Sequence, residues 1–221
     1  MARQFPAEAG KTKEQPEPMR RLTILLIALL GLASCAAGPN RAPEETAKPG
    51  EMVSTPHYRS PNPPTLSLLT EINLESGNGG HTALLVDASE RVVFDPAGSF
   101  RHPQMNRQDD VFYGMNDRAV NVFIDYYSRG VWKVVRQDIR VSEETAEQAL
   151  ELVTTHGRVR KAFCTSSTSK LLSRLPGFER IHGTMFPVSL MNQVAGLEGV
   201  TSSTYHDMRF NSRGQLVAAN N

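Results

Sequence analysis

Hydrophobic and polar positions alternate along three short segments near the middle of the chain. Residues 66–74, 81–87 and 91–95 are rich in branched apolar side chains, and the residues between them, 75–80 and 88–90, include the glycine and polar residues of turns. A period of two is typical of strands, and short turns join strands that run antiparallel. The pattern predicts a meander of three antiparallel strands.

The apolar spacing changes toward that of helices in the second half of the folded region. Residues 117–128 also alternate in part like a strand, but we favour a helix there. Its inward side chains are Ala119, Val120, Phe123 and Tyr127. Residues 131–141 predict a further strand. Ser142 is a typical helix cap, and the helix after it is predicted to end near His156, before Gly157.

A third helix is predicted to begin at Cys164. Small hydroxyl residues lead from this cysteine into apolar positions that include Leu171 and Leu175. Beyond Gly177 the sequence predicts irregular chain, apart from a turn of helix near residues 188–194. Together these segments predict an α+β fold in which an antiparallel sheet packs against helices, one of which carries the cysteine.

Residues 19–35 have the organisation of an export signal. A basic start is followed by an apolar run, residues 22–33, that is too short to span a bilayer, and small residues precede Cys35. Residues 32–35 resemble the lipobox of bacterial lipoproteins, in which the cysteine is diacylated and becomes the mature N-terminus. The resemblance implies a lipid anchor on Cys35. Ala36 after it implies the outer membrane, with the folded part in the periplasm.

The chain therefore divides into three regions. Residues 1–35 comprise an N-terminal extension and the lipoprotein signal peptide, residues 36–65 form a proline-rich tether, and residues 66–221 form a single folded domain. The tether has few aromatic residues and cannot bury a core, so we expect it to hold the domain away from the membrane. About 150 residues remain for the domain, which is enough for one good core.

The charge balance argues against one broad class of partner. The 221 residues include 24 Lys and Arg against 23 Asp and Glu, which gives a formal net charge of +1. No block of like charge and no interleaving of basic and aromatic residues indicates binding to nucleic acid. The sequence also lacks a glycine-rich phosphate loop, a dinucleotide fingerprint and metal-ligand spacing, so neither a cofactor nor a metal is predicted.

Cys164 is the candidate nucleophile. It is the only cysteine of the folded region, and the dipole of the predicted helix favours its thiolate, while free N–H groups at a helix start can stabilise an oxyanion. Two structural interpretations compete with this one. A lone cysteine is often a small buried apolar residue, and a disulfide to Cys35 is conceivable, although lipidation would consume that thiol.

His81 is the candidate base. It opens a strand directly after two glycines, so its imidazole is expected at the sheet edge, where a helix N-terminus can reach it. Pairing across the hairpin brings Ala83 next to Asp95, so we predict that the Asp95 carboxylate orients the His81 ring. A backbone carbonyl or Asp87 is the alternative acceptor.

The other histidines have weaker claims to this role. His206 and Asp207 form an adjacent histidine–acid pair, but neighbouring residues point apart and the segment is expected to be a surface loop. The remaining four are expected in the tether, in loops or at a helix end: His57, His102, His156 and His182.

The order of these features resembles a known family. A glycine-led strand at His81, a second strand that ends in an acid, a capped helix, and then Cys164 at a helix start are similar to the circularly permuted papain-like proteins of the NlpC superfamily. In that branch, which contains relatives of lecithin retinol acyltransferase, the histidine strand precedes the cysteine helix. Residues 186–190 also resemble the proline–leucine segment that often closes such domains.

This resemblance covers about residues 66–194. It implies a circularly permuted papain-like fold with Cys164 as nucleophile, His81 as base and Asp95 as orienting acid. It further implies a cysteine hydrolase or acyltransferase that forms a thioester with cell-wall peptides or acylated lipids. The alternative is a non-catalytic binding or assembly module of the cell envelope, with Cys164 packed in the interior. No motif in the loops identifies the substrate.

Overall fold

The computed structural model describes residues 57–210 and 216–218, and this part of the chain contains nine strands and four helices. The strands are β1 Thr65–Asn73, β2 Gly79–Asp87, β3 Arg91–Phe94, β4 Arg107–Gln108, β5 Val111–Phe112, β6 Trp132–Arg140, β7 Thr201–Tyr205, β8 Met208–Phe210 and β9 Leu216–Ala218. The helices are α1 Asp117–Tyr127, α2 Glu143–Thr154, α3 Cys164–Leu172 and α4 Pro187–Ala195.

Seven of these strands form one sheet in the order β4–β5–β3–β2–β1–β6–β7, and every neighbouring pair is antiparallel. The register places Val86 of β2 opposite Leu66 of β1 and Val92 of β3. Strands β8 and β9 pair with each other in a separate sheet. The antiparallel meander of β1–β3 and the α+β class predicted from the sequence are confirmed.

Helices cover both faces of the sheet. Successive side chains of a strand point to opposite sides, so each face packs against its own set of helices. Leu84 and Val86 belong to a buried cluster with residues of α2, α3 and α4, whereas Ala83 and Leu85 belong to a second cluster with residues of α1. Strand β2 is therefore buried on both faces from Thr82 to Asp87. This double cover fixes the positions of α1 and α3 on either side of β2.

Local capping explains where two helices begin. The Asn116 side chain accepts a hydrogen bond from the N–H of Ala119 at 3.0 Å, and the Ser142 side chain accepts one from Thr145 at 3.2 Å. Helix α1 confirms the helical interpretation of residues 117–128, since its buried positions follow helical spacing. Helix α2 ends two residues earlier than predicted.

The sequence did not predict several short strands. Strands β4 and β5 have two residues each, which is too short for a recognisable alternation. Strand β7 was expected to be irregular chain, but its exposed polar residues pair with β6, with Thr204 opposite Val135. The sequence of β7 has no apolar face that alternation could reveal. The strand forms through its pairing with the edge of the sheet at β6.

The last residues of the expected tether hydrogen-bond to the domain. The carbonyl of Tyr58 accepts a bond from the N–H of Arg91 at 2.7 Å, Ser60 is buried, and the carbonyl of Pro64 accepts a bond from Val141 at 3.2 Å. Ordered packing thus begins before residue 66. The predicted signal and the lipidated Cys35 lie outside the described residues. Within the described ranges, no helix has the length and apolar character needed to cross a membrane.

Candidate active site

The candidate base and its carboxylate lie next to each other at one end of the β2–β3 hairpin. The pairing of these strands ends at Leu84 and Phe94, so the chain turns away from β2 at Asp95. There the His81 Nε2 and Asp95 Oδ1 atoms are 2.7 Å apart. The His81 side chain is 12% exposed and that of Asp95 is fully buried. The predicted proximity of these two residues is confirmed.

The backbone around Asp95 holds its carboxylate in place. Its N–H donates to the carbonyl of Asp110 at 2.7 Å, and its own carbonyl accepts a bond from Gly98 at 3.0 Å. A side chain at position 98 would overlap the Asp95 carboxylate, so only glycine leaves room for this turn. The orienting acid is thus fixed by its own loop as well as by His81.

The candidate nucleophile is the first residue of α3. Phe163 forms the N-cap without a side-chain hydrogen bond, so the cap residue leaves the amide groups of the first turn open. Ala162, which precedes it, has a left-handed φ of 69°, a conformation that is unusual for a residue with a side chain. The chain therefore enters α3 by a strained turn that presents Cys164 at the open helix end.

Thr165 attaches this helix start to β2 and also contacts the cysteine. The hydroxyls of Thr82 and Thr165 share a hydrogen bond of 3.0 Å in the interior. The Cys164 sulfur lies 3.7 Å from the Thr165 hydroxyl oxygen. Because Thr82 follows His81 directly, the same stretch of strand carries the imidazole and anchors the cysteine helix.

Each member of the cysteine–histidine pair stabilises the charged form of the other. Burial opposes the charge on His81, but hydrogen bonds to Asp95 and Cys164, together with their charges, outweigh burial and raise its pKa to about 10. Burial also opposes the thiolate, but the hydrogen bond and charge of His81, with smaller contributions from Thr165 and the Thr82 N–H, lower the pKa of Cys164. The pair therefore favours the thiolate and the imidazolium more than isolated side chains would.

The contacts also assign the two nitrogens of the ring. Nε2 of His81 faces Asp95, which leaves Nδ1 as the nitrogen available to Cys164. A carboxylate accepts hydrogen bonds and cannot donate one, so Nε2 carries a proton and its N–H donates a hydrogen bond to Asp95. In the neutral imidazole Nδ1 would then be free to accept a proton.

Two residues near the pair were not assigned a role from the sequence. Tyr127, at the end of α1, stacks on His81 with ring centroids 5.1 Å apart, and its hydroxyl contacts Asp95. Glu71 of β1 lies directly opposite His81 in the β1–β2 register. The inward position of Tyr127 was predicted, but helical spacing alone does not show which buried tyrosine reaches a polar partner.

The alternative site residues lie elsewhere. Asp87 is at the far end of β2 from His81 and faces Arg91, with an Oδ2–Nε distance of 3.4 Å. His206 lies at the end of β7, where its Nε2 is 2.9 Å from the carbonyl oxygen of Gly130. His57 pairs with Glu90 at 2.8 Å. None of these groups is brought to Cys164, so the structure groups Cys164, His81 and Asp95 and leaves the alternatives apart.

Two surface depressions lie away from Cys164 and His81. One, of about 450 Å³, is bounded by residues 59–62, Asp87 and Glu143, and the other, of about 430 Å³, lies beside Met105 and Tyr113. Among the described residues, no group of three or more histidine, cysteine or acidic side chains is arranged to hold a metal ion.

Comparison with protein-family models, with curated proteins and with solved structures found no match to this chain. The functional interpretation therefore depends on the geometry of the site and on the order of its elements along the chain.

Proposed function

We propose that the domain is a cysteine hydrolase or acyltransferase that acts on an amide or ester through a thioester. One observation carries the proposal: His81 contacts a buried carboxylate, Asp95, at 2.7 Å, and the residue after His81 is hydrogen-bonded to the residue after Cys164. The cysteine therefore begins its helix next to the strand position that carries the imidazole. This is the arrangement that an activated thiolate requires, with a base beside the nucleophile and a third group to orient the base.

The reaction can be written with the groups of this site. The Cys164 sulfur attacks the carbonyl carbon, and the carbonyl electrons move to the oxygen, where amide groups of the first turn of α3 stabilise the negative charge. Collapse of this intermediate expels the amine or alcohol, which takes a proton from the His81 imidazolium. Water or an acceptor alcohol then gives a proton to His81, attacks the thioester and releases the product, which restores the thiolate.

The order of elements supports a circularly permuted papain-like fold of the NlpC superfamily. The histidine strand β2 precedes the cysteine helix α3, and α3 packs on the sheet that carries the histidine. Residues 187–195 form the helix α4, which begins with Pro187 against Gly79 and corresponds to the proline-containing segment of the resemblance. The proposal for fold and the proposal for activity thus share the same residues.

Exposed apolar side chains near the helix start favour an acylated substrate over a purely polar peptide. Phe163 precedes Cys164 and is 43% exposed. Phe186 is 72% exposed and precedes Pro187, which packs against Gly79, two residues before His81. Exposed large apolar groups beside a candidate site indicate contact with an apolar ligand. A lipid ester or an acylated cell-wall component would supply it.

We also propose that the protein is an outer-membrane lipoprotein whose domain faces the periplasm. The support comes from the lipobox-like residues 32–35 and the proline-rich segment after them. Mass spectrometry of the mature N-terminus tests this proposal. A diacylated Cys35 at the first position is expected, and an unlipidated terminus or cleavage at another bond would refute it.

The pH profile of Cys164 alkylation by iodoacetamide tests the proposed activity, with Cys35 replaced by Ser. We expect rapid labelling between pH 6 and 7, where an ordinary thiol with a pKa of about 8.5 is mostly protonated. His81→Ala should slow labelling in this range by at least about tenfold, because it removes the partner charge. Asp95→Asn should have an intermediate effect.

His206→Ala is the control, because this exposed histidine contacts Gly130 and not the cysteine. It should leave the profile unchanged. If the wild-type thiol titrates above pH 8, or resists labelling in the folded protein, the hydrolase proposal is wrong and the non-catalytic envelope module takes its place.

A further inference from the structure

The last residue of α1 connects to the carboxylate of the site. The Tyr127 hydroxyl oxygen lies 3.1 Å from Oδ1 and 3.2 Å from Oδ2 of Asp95, and its ring stacks on that of His81 with an interplanar angle of 21°. Tyr127 is buried. A single side chain therefore contacts two members of the candidate triad, one through its hydroxyl and one through its ring.

Backbone contacts fix the direction of the Tyr127 hydroxyl. The N–H groups of Ser99 and Phe100 donate to its oxygen at 3.0 Å and 3.2 Å. These two bonds occupy the acceptor capacity of the hydroxyl, which has one proton to donate and two lone pairs. The proton is then directed at Asp95, because a carboxylate can only accept it.

We propose that Tyr127 is a positioning residue that keeps the Asp95 carboxylate aimed at Nε2 of His81. The inference rests on the proposed function, since it concerns the same Cys164–His81 pair. Asp95 receives one hydrogen bond from His81 and one from Tyr127. Hydrogen bonds to the charged form of a carboxylate stabilise that form, and a fixed carboxylate in turn holds the imidazolium that supports the thiolate.

The titratable groups around this network come from four parts of the fold. Glu71 faces the ring from β1, Asp95 follows β3, Cys164 begins α3, and Tyr127 ends α1. Burial and the nearby charge of Asp95 raise the pKa of Tyr127 well above its usual value, despite opposing hydrogen bonds from Phe100 and Ser99. The tyrosine therefore remains a neutral donor throughout the range in which the thiol titrates.

The test compares Tyr127→Phe with Tyr126→Phe in the alkylation profile of the full chain with Cys35 replaced by Ser. Phenylalanine at 127 keeps a ring against His81 and removes the hydroxyl. We expect the acid limb of the profile to move to higher pH by about one unit, the size of a hydrogen bond to a charged group. Tyr126 is a matched control, because its exposed hydroxyl contacts Ser99 and not Asp95.

Incorporation of 3-fluorotyrosine at position 127 gives an independent test that keeps the hydroxyl and nearly the same volume. Fluorine makes the phenol a stronger donor, so the acid limb should move to lower pH, opposite to the Tyr127→Phe shift. A loss of stability alone would not move the limb in the folded protein. This variant also decides the question if Tyr127→Phe does not fold.

The two proposals fail in different ways. If the wild-type thiol has no thiolate at pH 6 to 7, the proposed function itself is wrong. If the wild type shows the thiolate and neither change at position 127 moves the acid limb relative to the matching change at 126, only the positioning role of Tyr127 is overturned.

Discussion

The carboxylate of Asp110 accepts a hydrogen bond from the N–H of Val159 at 2.8 Å, across 49 residues of sequence. The same oxygen accepts one from Ala97 at 3.0 Å, and the other oxygen pairs with the buried Arg107 at 2.7 Å. Ala97 lies in the loop after Asp95, and Val159 lies in the loop that leads to α3. The buried Asp110 carboxylate, which is also paired with Arg107, thus joins the loop after Asp95 to the loop that precedes Cys164.

Asp110→Asn should therefore affect both stability and the reactivity of Cys164. The change leaves the buried guanidinium of Arg107 without this charged partner, which costs about 3 kcal/mol of unfolding free energy. Urea unfolding measures that loss. In the protein that remains folded, alkylation of Cys164 at pH 6.5 should be slower, because a neutral amide oxygen holds the N–H groups of Ala97 and Val159 less strongly than a carboxylate does.

Asp109→Asn provides the control. Asp109 is the neighbouring residue and has a left-handed φ of 52°, which asparagine tolerates. This variant should unfold at nearly the wild-type urea concentration and keep the wild-type labelling rate. Equal effects of the two substitutions would show that the carboxylate of Asp110 has no special role in the site.

The sequence predicted those parts of the fold and site that have a local pattern. Alternation predicted β1–β3, and the hairpin register placed Asp95 beside His81. The hydrogen bonds of Asp110 and Tyr127 could not be predicted, because they join residues 13 to 49 positions apart and leave no periodicity. In the sequence, Asp110 looks like any acidic loop residue, and only the folded chain shows that it is buried.

Gly98→Ala should disturb the site through steric overlap alone. A methyl group at this position would overlap the carboxylate of Asp95, which must then leave its place beside His81. We expect slower alkylation of Cys164 at pH 6.5, by roughly tenfold, and a lower unfolding midpoint. Gly183→Ala is the control, because its methyl group would lie 3.8 Å from the flexible Lys170 side chain, an ordinary contact. A Gly98→Ala protein with the wild-type profile would mean that the position of Asp95 does not matter to the thiol.

Removal of residues 36–64 should destabilise the domain, whereas the shorter removal of residues 36–56 should not. The shorter deletion takes away proline-rich chain that is expected to make few contacts. The longer deletion, of residues 36–64, also removes the carbonyl of Tyr58, which leaves the N–H of Arg91 without its partner at a cost of about 1–3 kcal/mol. Thermal unfolding of the two shortened proteins measures the difference. Equal melting temperatures would show that these contacts contribute nothing to stability.

Glu71 should make the stability of the domain depend on pH. Burial raises the pKa of Glu71 to about 7, while the charge of His81 opposes the shift and that of Asp95 adds to it. Between pH 4.5, the ordinary pKa of the group, and pH 7, the folded state therefore binds more protons than the unfolded state. The protonated carboxyl does not destabilise the folded state in acid, but the free energy of unfolding falls as the pH rises through that window.

Glu71→Gln should abolish this part of the pH dependence, because glutamine stays neutral. The variant should be close to the wild type in stability at pH 4.5 and more stable than it at pH 8, by on the order of 1 kcal/mol after allowance for partial exposure. Urea unfolding at the two pH values measures the difference, and Glu75→Gln, at an exposed position in the following turn, is the control. Other titrating groups are common to the compared proteins, so their contributions largely cancel in the comparison. A Glu71→Gln protein that gains no stability relative to the wild type between pH 4.5 and pH 8 would show that burial does not hinder the ionisation of Glu71 in the folded state.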